Sequence, residues 1–306
     1  YADDLKVFLS ISTLRDCEIL QHNLDQLTSW TIKNRLFLNK DKCFIITYSR
    51  KLTNIVYEYS IEEFNLVRLD TYKDLGVVFD SKFFFKNHIV ECTTRAYNMF
   101  GFIYRNCSEF SNVQSLLTLY YSFIRSRLEY AAVIWFPIYS TYIQLLESVQ
   151  RKFLKFVVFL VDGIYPPRGY NHGVLLSRFN CNLLSTRRVI SSVKLLHSLI
   201  SNITDCTYLF NKIVFLVPRL NARSCRTFYY STSRTNVMTR SPLVIMCSNF
   251  NLISDLCDIN NDPFSYILNA LISYLENWGV LFYLYSGLFI INSALYFFFF
   301  LILSAT

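Results

Sequence analysis

Leu5, Val7 and Leu9 alternate with Lys6, Phe8 and Ser10, which is the period of a strand with one face buried. The period then changes. Ile19, Leu20, Leu24, Leu27 and Trp30 recur at helical spacing, and Thr13 with Asp16 three residues later predicts a cap at the start of that helix. Strand patterns return over residues 43–48, 55–59 and 75–79, where Gly76 allows close backbone approach. After about residue 80 strand signals become rare. Helical patterns cover 88–106, 113–130, 142–160 and 183–200, and the stretch 165–173, with Pro166, Pro167, Gly169 and Gly173, is the clearest break between them. A second loop region, 217–242, is rich in Ser, Thr and Arg and has no sustained period. The expected class is α+β: a small antiparallel sheet with a helix, followed by a mostly α-helical remainder.

Composition changes this picture at two places. The chain has 306 residues, 53% of them hydrophobic, which is enough for two domains and too apolar for disorder. Its charge is segregated: residues 161–240 hold 11 Lys/Arg against 2 Asp/Glu, while residues 241–306 hold none against 4. Such a basic middle points to a polyanion partner. Arg187, Arg188, Arg223 and Arg226, with Phe228, Tyr229 and Tyr230 interleaved, are the candidate nucleic-acid-binding groups, because basic side chains track phosphates and aromatic rings stack on unpaired bases. A solvated basic surface is the plainer alternative.

The second place is the tail, 279–306, which carries no charged residue. As a helix it would reach about 42 Å at 1.5 Å per residue, enough to cross a bilayer. No Lys or Arg follows Arg240 to anchor it. Translated non-coding or frame-shifted sequence, a helix without function and a genuine membrane anchor are the three readings. The nine cysteines show no Cys-x-x-Cys pair, so no zinc knuckle is legible, and they read as small buried hydrophobes of a reducing compartment. His22, His88, His172 and His197 lie far apart with no serine or cysteine nucleophile motif around them, and they read as packing or surface groups. With only 7 Gly, no phosphate-cradling loop can be assembled.

Tyr1-Ala2-Asp3-Asp4 places two acids ahead of an apolar strand. Neighbours in a strand point to opposite faces, so adjacent carboxylates serve one site only at a turn, where a divalent cation would relieve their repulsion. An ordinary Asp-Asp turn is the alternative. Further blocks follow: Trp30, Asn34, Leu36, Leu38, Asn39, Lys42 and Cys43; then Tyr72 to Val77 with Asp80 and Asn87-His88-Ile89; then Leu119-Tyr120, Ile124 to Ser126, Leu128-Glu129-Tyr130, Trp135 and Pro137; and finally Glu147 with Val149 to Lys152. In this order they resemble the reverse transcriptases of non-LTR retrotransposons, of the jockey-like or LINE type. The resemblance covers roughly residues 1–160. It continues faintly through Leu183, Arg187-Arg188, Ser241-Pro242 and Asn251 to about Leu275.

The resemblance implies the C-terminal part of a polymerase palm over 1–90, thumb-like helices over 91–160, a basic and mostly helical region over 161–278 and the hydrophobic tail over 279–306. It implies RNA-directed DNA polymerisation by two-metal nucleotidyl transfer, with magnesium, or manganese in its place, on Asp3 and Asp4. Asp3 is the stricter ligand. Tyr1 and Ala2 would lie beside the primer end, Lys42 would meet the triphosphate, and Gly76 would belong to the hairpin that grips the primer. Partners would be an RNA template, a DNA primer and dNTPs, in the nucleus or cytoplasm, with membrane contact through the tail as the exception. A further aspartate and a nucleotide-binding finger region do not occur in these residues. The chain therefore reads as a fragment opening inside its catalytic motif, inactive alone.

Overall fold

The computed structural model describes residues 5–51, 53–137, 139–216, 226–231 and 236–257. They divide into two compact units, one ending at Phe85 and the other beginning at Lys86.

The first unit is built on helix α1 (Leu14–Lys33), and its start is the reciprocal cap expected from Thr13 and Asp16. The Asp16 carboxylate accepts hydrogen bonds from the backbone of Ser12 and Thr13, which hold its pKa below the ordinary value. Strands here are short. β1 (Phe44–Ile45) pairs with β4 (Val67–Arg68), β2 (Ser60–Ile61) with β3 (Phe64–Asn65), and β5 (Thr71–Asp74) with β6 (Val77–Asp80). The β1–β4 pair is parallel, while β2–β3 and β5–β6 are antiparallel, so the small antiparallel sheet expected here is found as separate two-stranded pairs beside one parallel pair. Gln21 substitutes for a strand neighbour, since its side-chain amide both accepts from the Ser60 N–H and donates to the Ser60 carbonyl.

Two further expectations change in this unit. Residues 5–11 belong to none of these pairs, and their alternation is inverted: Leu5 is 60% exposed and Val7 45%, while Lys6 turns inward to Asp74. Residues 75–79 are not one strand either. Leu75 and Gly76 are the two central residues of the β5–β6 hairpin, at φ 43° and 86°, the left-handed conformations that a tight two-residue turn requires.

The second unit is helical, and the expected periods locate its main elements apart from the helix His172–Arg178, for which no period is expected. They are α2 (Lys86–Asn106), α3 (Val113–Leu119), α4 (Ser126–Glu129), α5 (Ser140–Asp162), α6 (His172–Arg178) and α7 (Leu184–Ile200). Between α3 and α4, residues Tyr120–Arg125 form a wide turn in which the Ser126 amide reaches back to the Tyr121 carbonyl, a local π-type bulge. The core is aromatic. Tyr120 stacks on Phe153 at 4.9 Å between ring centroids, and Phe100 meets Phe153 and Phe156 edge-on. Gly163, at φ 73°, ends α5 in a left-handed cap, and Lys155 donates to the Pro167 carbonyl at 2.6 Å, holding the proline-rich break against that helix.

Beyond α7 come α8 (Thr207–Phe210), the antiparallel pair β7 (Val214–Phe215) and β8 (Phe228–Tyr229), α9 (Asn236–Thr239) and α10 (Pro242–Cys257). Buried Asn251 of α10 accepts from the amides of Thr227 and Phe228 and donates to the Phe228 carbonyl. That fixes β8 to the helix. α5 runs past residue 160 and packs on α6 and α7, so helices continue across the boundary expected there.

Candidate functional site

Tyr1, Ala2, Asp3 and Asp4 lie outside the described residues. The chain that follows them, from Leu5 to Ser12, lines a cavity of about 560 Å³ within the first unit. Phe44, Tyr72 and Asp74 line the same cavity, as does Lys42 at the end of a single 3-10 turn, Lys40–Lys42. That turn starts because the Asn39 side chain accepts from the Asp41 amide at 3.1 Å, and it leaves Lys42 exposed. The folding of residues 34–48 thus brings a lysine to the cavity that the segment after the acidic pair also borders.

Asp74 is buried and takes the Lys6 ammonium at 2.5 Å. A carboxylate neutralised in this way is a poor ligand for a cation. No group of three His, Cys, Asp or Glu among the described residues could hold a metal ion. Asp3 and Asp4, the pair that the resemblance names for magnesium, have the right hard-oxygen chemistry and lie outside the described residues.

Gly76 is accounted for by its backbone, since the β5–β6 turn needs positive φ at this position. Asp80 accepts from the amides of Lys82, Phe84 and Phe85 and shapes the turn after the hairpin.

The arginine pair requires a correction. Arg188 is 1% exposed, and Arg187 is engaged by Glu129 through both its Nε and, at 3.0 Å, its Nη2. Neither guanidinium offers a free face to a phosphate, because α7 turns both into the helix junction. Burial works against the charge of Arg187, and Glu129 more than offsets it, holding its pKa above the usual value. Burial lowers that of Arg188 despite Glu129 and Glu147. Arg226 is exposed beside β8, and Arg223 lies outside the described residues.

This junction gathers residues that sequence reasoning had left in separate blocks. Glu147 of α5 accepts from the Ser185 amide at 2.9 Å, placing a carboxylate at the N-terminus of α7 where the helix dipole favours it. Glu129 ends α4, and Arg125 sits over the Tyr121 ring at 3.8 Å. Trp135 is fully buried, donates to the Tyr130 carbonyl at 2.8 Å and meets both His88, edge-on at 4.9 Å, and Arg188 at 5.4 Å. The signal that could have joined them was charge: Glu129 and Glu147 stand in apolar helix faces and need cationic or N–H partners. A cysteine was missed as well. Cys92 is four residues after His88 on α2, and its Sγ lies 3.4 Å from the ring Nε2.

The residues after Cys257, including the tail 279–306, are outside the description, and among the described residues no helix is long and apolar enough to cross a membrane. The chain was compared with protein-family models, curated proteins and solved structures, and it matches none of them.

Proposed function

We propose that this chain is part of an RNA-directed DNA polymerase of the non-LTR retrotransposon type, catalysing nucleotidyl transfer when a further carboxylate joins Asp3 and Asp4. What supports the reading is the convergence of His88, Trp135, Glu147, Arg187 and Arg188. His88, Trp135 and Glu147 belong to the ordered blocks that carry the resemblance, and Arg187 and Arg188 to its fainter continuation. Motif residues a hundred positions apart that share one buried junction behave as parts of one inherited scaffold. In this reading the junction is the support of the thumb and not a contact with template.

Asp3 and Asp4 would hold magnesium, which supplies charge neutralisation at the attacking and leaving oxygens of an in-line displacement. Lys42 would bind the triphosphate from the cavity it lines, orienting the leaving group. The partners are an RNA template, a DNA primer and dNTPs. Of the three arginines singled out that are among the described residues, Arg187, Arg188 and Arg226, only Arg226 has an exposed side chain.

The experiment is primer extension on an RNA template with magnesium and dNTPs, using the chain joined to a palm and fingers segment that supplies the third acid. Templated synthesis is expected. Asp3→Asn should abolish it, because charge is lost at the ion while shape is kept, whereas Asp25→Asn on the outer face of α1 should not. Full activity of Asp3→Asn removes the acidic pair from the site. Binding of primer-template without synthesis leaves the non-catalytic nucleic-acid-binding reading.

A further inference from the structure

With Arg187 and Arg188 turned into the helix junction, α7 leaves the polyanion partner expected from the basic middle without a surface there. Another helix pair of the second unit carries one. On α2, Tyr97, Gly101, Tyr104 and Arg105 follow at the i, i+4, i+7 and i+8 spacing of a single face. On α5, Ser148, Lys152, Phe156 and Phe159 share a face in the same way. The two faces meet along a seam. The Tyr97 and Ser148 hydroxyls bond at 2.8 Å, and the Tyr104 ring lies 5.0 Å from that of buried Phe156. Phe159 in turn meets Tyr165, just past the end of α5, at 6.1 Å between ring centroids.

The outer side of this seam stays in water, since Tyr104 is 51% exposed, Phe159 38% and Tyr165 52%. Two cations border the rings. The Lys152 ammonium is held over the Tyr97 ring, 4.5 Å from its centroid. The Arg105 guanidinium folds back along α2, with Nη1 3.5 Å from the Cβ position of Gly101. Among the described residues neither cation is in an ion pair, and Asp162 at the end of α5 is already taken by Arg178 through both oxygens, at 2.6 and 2.7 Å. A second copy of this face would set like charges against each other. An anionic bilayer is held by a broad apolar face, whereas here Arg105 stands beside Tyr104 and Lys152 on Tyr97. Unpaired nucleotides match both features, with phosphates for the cations and flat bases for the rings.

We propose that the α2–α5 seam binds single-stranded nucleic acid, with unpaired bases stacking on Tyr104, Phe159 and Tyr165 and the sugar–phosphate backbone held by Arg105 and Lys152, without choice of sequence. The inference rests on the polymerase reading for the source of the strand, template or primer, and on the chemistry of the seam for the binding itself.

The test is fluorescence anisotropy of a labelled oligouridylate of about 15 nucleotides, long enough for one such site, titrated with the full chain in the absence of magnesium and dNTPs. The deoxyribose oligomer and a duplex of the same length are run beside it. Both single strands should bind, the tighter of the two naming the source, and the duplex should bind at least about fivefold more weakly because its bases are already stacked. No binding of either single strand, or equal binding of the duplex, overturns the proposal. Tyr104→Leu should weaken binding about tenfold, and Arg105→Met and Lys152→Met should each lower the salt slope by about one. Phe123→Leu and Arg127→Met, an exposed ring and an exposed cation on other elements of the unit, should stay within about twofold of the unaltered chain. Equal losses in these comparators count against the seam. Because Tyr104→Leu can disturb the packing on Phe156, the unaltered chain is also crosslinked to RNA carrying 5-iodouridine and mapped by mass spectrometry. Crosslinks at Tyr104, Phe159 or Tyr165 are expected, and crosslinks found only elsewhere overturn the proposal. Self-association that depends on Tyr104, or capture by phosphatidylserine vesicles in place of RNA, assigns the seam to another occupant and overturns it too. Loss of primer extension with this binding intact strikes the polymerase reading alone, and loss of this binding strikes the seam alone.

Discussion

At the scale of residues, charge type was legible in the sequence and charge partner was not. Arg187 and Arg188 stand in a segment almost free of acids, which reads as a polyanion surface until Glu129 arrives as the partner of Arg187 and the Leu128 carbonyl as that of Arg188. Density along the chain says nothing about which acids a fold will bring back. Arg187→Ala should therefore lower stability instead of merely weakening nucleic-acid binding. A loss of about 2–3 kcal/mol in urea denaturation is expected, below the range for breaking a fully buried pair, since the Glu129 side chain keeps 21% of its surface. An unchanged midpoint would return Arg187 to the surface role. His172 makes a second case. Burial, helped by Arg151, pushes its pKa down to about 4 from 6.5, and its Nε2 is buried without a partner. Between those values the unfolded chain binds a proton that the folded chain refuses, so stability is full above pH 6.5 and falls as pH drops toward 4. His172→Gln should flatten that fall, seen as a smaller difference between urea midpoints at pH 7 and pH 5. Equal differences in the two proteins would show that His172 is not the group responsible.

At the scale of elements, helices were legible and strands were not, for a physical reason. A helix of twenty residues states its period several times and its cap once, as Thr13 and Asp16 do for α1. A two-residue strand such as β1 states nothing. The segment 5–11 has a clear alternation but presents the opposite face, because the ion pair of Lys6 with buried Asp74 decides which side turns in. The wide turn at Tyr120–Arg125 was invisible because one skipped hydrogen bond hardly disturbs a helical pattern. Of the candidate site, Lys42 could be placed beside the chain leaving the acidic pair only through its cavity. Gly76 shows how an element constrains a residue. Its φ of 86° lies where a Cβ costs roughly 1–2 kcal/mol, so Gly76→Ala should destabilise the first unit by about that amount, while Gly76→Asn, which tolerates this region better, should cost less. Thermal unfolding followed by circular dichroism checks the order. Equal costs would mean that the turn rearranges instead of straining.

At the scale of the whole molecule, the two units differ in how much apolar surface each removes from water. The second has fully buried Tyr120, Phe153 and Phe156 in one aromatic cluster, and Trp135 sealed against His88 and Arg188, with long helices around them. The first has three two-residue-wide or hairpin pairings, one long helix, and large exposed apolar side chains that include Phe37 at 83% and Trp30 at 54%. Apolar burial stabilises at about 25 cal/mol per Å², so a unit that leaves such rings in water should have the smaller unfolding free energy. Two tryptophans report on the two units separately: Trp30 is exposed in the first, and Trp135 is sealed in the second. With Trp278 replaced by Phe, single-tryptophan variants retaining Trp30 or Trp135 should give different urea midpoints, the Trp30 transition coming first. Emission from Trp135 should stay blue-shifted until the second transition. The same order should appear in hydrogen exchange, with α1 amides exchanging before those of α5 and α7. Coincident transitions for both reporters would mean that the chain unfolds as one cooperative body, and that the first unit draws its stability from a source other than its own core.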